Sequence, residues 1–142
     1  MSGGHELVRV LIVDEDPAAR ALLREVVETF PNMEVLADTD SMVYGYELIR
    51  QNRPQLVFID LRQHPEQTLQ LVRRVTTYFR ESMVFVSGQD LSMEGLMACM
   101  QAGAREYLQR PLDADAVEAL VRKHKDELVV NLEEGDRTGR II

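Results

Sequence analysis

The sequence has one cysteine, no long apolar run, no basic stripe and no glycine-rich phosphate loop, and each shortage removes a class of function. Cys99 cannot form an internal disulfide, which fits a reducing compartment, and no histidine partner is evident that would make it a nucleophile. No stretch approaches the length needed to cross a bilayer. The N-terminus, Met-Ser-Gly-Gly-His-Glu, carries no cleavage site of the secretory kind, so a cytoplasmic location is expected. A net charge of −8, with Arg73 and Arg74 only a local basic pair, argues against a grip on nucleic acid, because phosphate contacts need a basic face. His5, His64 and His124 lack metal-ligand spacing and read as surface residues.

What remains is ordinary for a single globular domain: 142 residues, 45% apolar and 28% charged. Short apolar runs alternate with helical patterns five times. Val8 to Val13 reads as a buried strand ending in Asp14-Glu15-Asp16-Pro17, and Pro17 suits the first turn of the helix that runs to Thr29. Met33 to Ala37 is a second strand. Ser41 to Gln51 is a helix carrying Val43, Tyr46, Leu48 and Ile49, with Gly45 as its weak spot. Leu56 to Ile59 is a third strand ending on Asp60, and a helix opened by His64-Pro65-Glu66 follows, with Leu69, Val72, Val75 and Phe79 on one face. Met83 to Val86, ending in Ser87-Gly88, precedes a helix from Asp90 to Gln101 whose Met93, Met97, Met100 and Cys99 are expected to pack into the core. Glu106 to Gln109 is the fifth strand, before Arg110-Pro111. Asp113 is a natural N-cap for the last helix, Leu112 a staple onto Val117, and Leu120, Val121, His124 and Leu128 continue its buried face.

Strict alternation specifies an α/β domain with a parallel sheet and right-handed crossovers, and chemistry in such sheets collects at the carboxyl ends of the strands. Those ends supply Asp14, Glu15, Asp16, Asp60, Ser87 and Arg110. Clustered carboxylates repel unless a cation intervenes, and Mg²⁺ takes one or two of them together with water and phosphate oxygens. A carboxylate can also attack a phosphoryl donor to give an acyl phosphate, whose oxygens a hydroxyl and a fixed cation would then hold. An FMN protein on a similar sheet would need a Ser/Thr/Gly-rich loop after the first strand; here that loop is acidic.

The series Val13-Asp14-Glu15, Ile59-Asp60, Ser87-Gly88, Ala102-Gly103-Ala104 and Arg110-Pro111, spread over residues 7 to 126, resembles the receiver domain of response regulators, the CheY-like pattern. The resemblance implies a flavodoxin-like (βα)5 doubly wound sheet of order 2-1-3-4-5. It further implies Asp60 as phosphoacceptor in a two-component phosphorelay, and Mg²⁺ held by Asp14, Glu15, Asp60 and the backbone carbonyl of Arg62. Ser87 and Tyr107 would be the switch pair, Arg110 the phosphoryl-binding cation, and Arg110-Pro111 a cis peptide. A phosphoacceptor of this kind is not a stand-alone enzyme. Its implied partners are a sensor histidine kinase or phosphotransfer protein and a second copy docked through the fourth helix, fifth strand and fifth helix.

The chain departs from the pattern at Arg110, where most receivers carry Lys, and along Asp60-Leu61-Arg62-Gln63-His64-Pro65, with Thr68 where a Gly usually falls. These departures, with Phe58 to Arg62 and Ala102 to Asp113, are similar to the N-terminal receiver-like domain of TadZ/CpaE pilus-assembly proteins. That likeness implies an alternative role as an interaction or localisation module. Residues 1–126 are therefore expected to be the receiver, and 127–142 an extended last helix and linker into a C-terminal ATPase or output domain.

Overall fold

The computed structural model describes residues 7–61 and 65–129. Within them β1 (Val8–Val13), α1 (Pro17–Glu28), β2 (Met33–Thr39), α2 (Met42–Asn52), β3 (Leu56–Asp60), α3 (Pro65–Tyr78), β4 (Met83–Gly88), α4 (Met93–Gln101), β5 (Glu106–Gln109) and α5 (Ala114–Lys123) alternate without exception. The five strands form one parallel sheet of order β2-β1-β3-β4-β5. This is the doubly wound, flavodoxin-like order expected.

The central strands are buried on both faces, as helices covering both sides of a parallel sheet require. On one side Val10, Ile12, Phe58 and Phe85 meet Leu23 and Val27 of α1 and Val117 of α5. On the other, Leu11, Val13, Val57 and Val86 meet Ile49 of α2, Val72 of α3 and Cys99 of α4. Period-two alternation along β1 sends neighbouring residues to opposite cores.

Four helices begin on a side-chain cap, with Asp16, Ser41, Ser92 and Asp113 accepting from the backbone N–H of Ala18, Tyr44, Gly95 and Ala116. Leu112 packs on the core that holds Val117, the arrangement a staple needs.

Several expectations need correction. β2 runs on to Thr39, because after a register shift at Val10/Leu11 the pairing with β1 continues through Ile12↔Asp38 and Val13↔Thr39. α4 starts at Met93, not Asp90: Asp90 sits at φ 54°, a left-handed conformation no helix continues. Met93, Met97 and Met100 do not enter the core; they are 71%, 52% and 39% exposed, while Cys99 is fully buried. Their i, i+4, i+7 stripe is regular, but the adjoining stripe through Cys99 is the one facing the sheet. Val43 likewise points outward, at 78% exposure. His124 is buried, which bears out its place on the inner face of the last helix and overturns its reading as a surface histidine. Its Nε2 lies 2.7 Å from Glu106 Oε2 and its ring 5.4 Å from that of Phe85. The other two histidines and the expected linker beyond residue 129 lie outside the described residues.

Candidate functional site

Parallel pairing brings the predicted residues to one edge. β1 and β3 are neighbours, so Asp14, one residue past Val13, comes beside Asp60, the last residue of β3. Asp60 pairs in register with Ser87 on β4, and the backbone N–H of Leu61 donates to the Ser87 carbonyl at 2.9 Å. Arg110 follows β5 directly, with its backbone N–H donating to the Gly88 carbonyl at 2.8 Å and a cis bond to Pro111.

The side chain of Arg110 is 3% exposed, and its guanidinium sits among the acids. Nη1 donates to Asp14 Oδ2 and to Ser87 Oγ, each at 2.8 Å, and Nη2 reaches Asp14 Oδ1 at 3.3 Å. Asp60 Oδ1 lies 3.6 Å from Nη1, and Asp16 Oδ2 3.8 Å from Nη2. The fork thus grips Asp14 and touches Asp60 more loosely. A planar two-pronged donor favours this side-on hold on one carboxylate, where an ammonium would act as a point charge. Burial pushes the Asp14 carboxyl above its ordinary value, helped by the negative charge of Asp60; the bonds from Arg110 and from the Asp16 N–H (2.9 Å to Oδ1) only partly oppose it.

In front of these groups lies a pocket of about 260 Å³, bordered by Asp14, Glu15, Asp60, Asp40, Gln67 and Thr68 among others. Its carboxylate oxygens are the donor type a hard divalent cation prefers. Among the described residues no three acidic, histidine or cysteine side chains converge as a ready-made cage. Mg²⁺ needs none, since water and ligand oxygens complete its shell, so the residues fit the ion in kind. The competing feature is Arg110, which already engages both oxygens of Asp14.

Tyr107 is half-buried on β5 rather than in the pocket; its hydroxyl donates to Gln109 Oε1 at 3.2 Å, and its ring lies close over Gly88. Burial raises its phenol pKa. Arg62 lies outside the described residues, so the placement of its carbonyl has no structural account.

Two contributors escaped the sequence reading. Arg20 donates to the backbone carbonyl of Asp14 at 2.7 Å while pairing with Asp38 at 3.3 Å, which braces the acidic loop against β2. Asp40 borders the pocket from the loop before α2. A helix arginine and a loop aspartate carry no local signal of such roles.

A family model described as the response regulator receiver domain matches residues 10–122. The chain belongs to that family. It is 32% identical, over 77% of its length, to protein-glutamate methylesterase/protein-glutamine glutaminase 4 of Myxococcus xanthus, covering 31% of that protein. It is 26% identical, over 85% of its length, to the transcriptional regulatory protein BtsR of Escherichia coli, covering 49% of it. The chain therefore spans no more than about half the length of these curated relatives. Among solved structures, a response regulator from Thermotoga maritima superposes with a TM-score of 0.75 at 23% identity, over 82% of this chain and 96% of that one. A pilus assembly protein, cpaE, from Burkholderia thailandensis gives a TM-score of 0.71 at 18% identity, over 84% and 99%. At these identities the likeness is one of fold. No helix among the described residues is long and apolar enough to cross a membrane.

Proposed function

We propose that this receiver accepts a phosphoryl group on Asp60 from a histidine kinase or phosphotransfer protein of a cytoplasmic two-component relay. The observation that carries the reading is the meeting of Asp14, Asp60, Ser87 and Arg110 at one strand edge, beside an acid-lined pocket. An Asp60 carboxylate oxygen would attack phosphorus. The new O–P bond forms as the P–N bond of the donor phosphohistidine breaks, and the imidazole leaves with a proton. Asp14, Glu15, Asp60 and the Arg62 carbonyl would hold Mg²⁺, which supplies charge to offset the phosphoryl oxygens. Ser87 Oγ and Arg110 would meet those oxygens from β4 and β5, with Tyr107 as the aromatic that reports the shift. An output unit, and pairing of two receivers through α4, β5 and α5, belong to the same proposal.

Incubation with Mg²⁺ and acetyl phosphate should add one phosphoryl group by intact mass, and Asp60→Asn should not take it up. A protein that stays unmodified at saturating donor and also fails to bind beryllofluoride would overturn the reading. That outcome would favour a second one, an interaction module of the TadZ/CpaE kind in which Arg110 has replaced the metal. Its supporting observation is the buried Arg110–Asp14 pair itself.

A further inference from the structure

Among the described residues Arg110 is the one buried arginine or lysine, and its bonds are unevenly shared. The two hydrogens of Nη1 are directed to Asp14 Oδ2 and Ser87 Oγ, both at 2.8 Å, so Asp60 at 3.6 Å receives the charge without the shorter bond. Asp14 Oδ1 accepts from the Asp16 N–H at 2.9 Å and from Nη2 at 3.3 Å. Both oxygens of the deepest acid are therefore taken by a cation that also holds the hydroxyl of Ser87 in place. Stripping one partner from a buried ion pair is strongly unfavourable, so the guanidinium leaves Asp14 when another positive charge, a metal ion or a proton, takes its place.

We infer that Arg110 is the resident cation of the pocket and a positioning residue for Ser87, so that entry of a divalent cation at Asp14 and release of the Ser87 hydroxyl are one linked event. The inference rests on the phosphoacceptor reading and deepens it. Linkage is reciprocal. Whatever holds Ser87 on Arg110 weakens cation binding, and whatever draws Ser87 toward a group on Asp60 strengthens it. A lysine here could not grip two carboxylate oxygens and a hydroxyl with one fork. The replacement at position 110 therefore changes how the metal and switch positions communicate.

Mn²⁺ serves as a spectroscopic probe for the metal, with its free fraction read by electron paramagnetic resonance on the whole chain. Ser87→Ala changes no charge, yet it removes one anchor of Arg110 and should tighten Mn²⁺ binding about threefold. Arg110→Lys should tighten it about tenfold, in the usual range of site-to-site coupling. In the double variant the Ser87→Ala effect should vanish. Cooperative urea unfolding of each variant verifies that it is folded. Equal Mn²⁺ affinity in wild type and Ser87→Ala, or the same Ser87→Ala effect in both backgrounds, overturns the linkage and leaves the phosphoacceptor reading standing. If neither wild type nor Arg110→Lys binds Mn²⁺ at saturation, both fall together.

Discussion

At the scale of single residues, the tightest constraint outside the pocket is Gly103. Its φ of 111° is one that L side chains rarely adopt, and a Cβ there would lie 2.3 Å from Thr76 Oγ1. That hydroxyl donates to the Ala102 carbonyl at 2.8 Å and so ties α3 to the turn before β5. Gly103→Ala should cost roughly 2 kcal/mol or more through strain and clash, read as a lower urea midpoint at unchanged slope. Gly45 has a different reason. A Cβ on it would come within 2.8 Å of Val13 Cγ2, so the helix residue that looks weakest by propensity is what lets α2 lie close to β1.

At the scale of elements, β5 and α5 are joined through Glu106, whose Oε2 meets His124 Nε2 at 2.7 Å and Lys123 Nζ at 2.9 Å. Burial alone would raise the Glu106 pKa, but the bonds from His124 and Lys123 outweigh it and hold the group below its usual 4.5. A depressed carboxylate stabilises the fold above its unfolded pKa and loses that contribution as pH falls through the folded value. Wild type should therefore be more stable than Glu106→Gln at neutral pH, and the gap should close below about pH 4.5, followed by thermal melts across the acid range. This contact also marks the limit of what could be read from the chain beforehand. Strand order, the Asp113 cap and the acids at strand ends were legible, because periodicity and capping are local and the family motif orders the rest. The Ser92 cap was not, hidden behind the left-handed turn at Asp90. The outward turn of Met93, Met97 and Met100 was not, since a helix with two apolar stripes does not announce which one meets the sheet. Nor was the grip of Arg110 on Asp14 rather than Asp60. Motif position puts a cation near both acids, and only the direction of the fork decides between them.

At the scale of the whole molecule, the one thiol is a reporter of global opening. Cys99 is fully buried between α4 and the sheet, and burial pushes its thiol pKa up, so little thiolate is exposed to reagent. An excess of an aromatic disulfide reagent should leave the native protein unlabelled over minutes. It should label one equivalent per chain in denaturant, at a rate that follows unfolding. Early labelling without unfolding would place α4 in a separately opening unit. The ion pair at the pocket carries a different consequence. Asp14 and Asp60 belong to the half of the chain that builds β1, β2 and β3, whereas Ser87 and Arg110 arrive with β4 and β5, and the Arg110–Asp14 bond spans 96 positions. On a chain emerging from the ribosome, the acid pair is already made before its counter-charge has been synthesised. Contacts this distant close late and contribute most to contact order. Completion of the pocket is thus a record that the two halves have been joined, and a chain halted before β5 carries both carboxylates without the arginine that engages them.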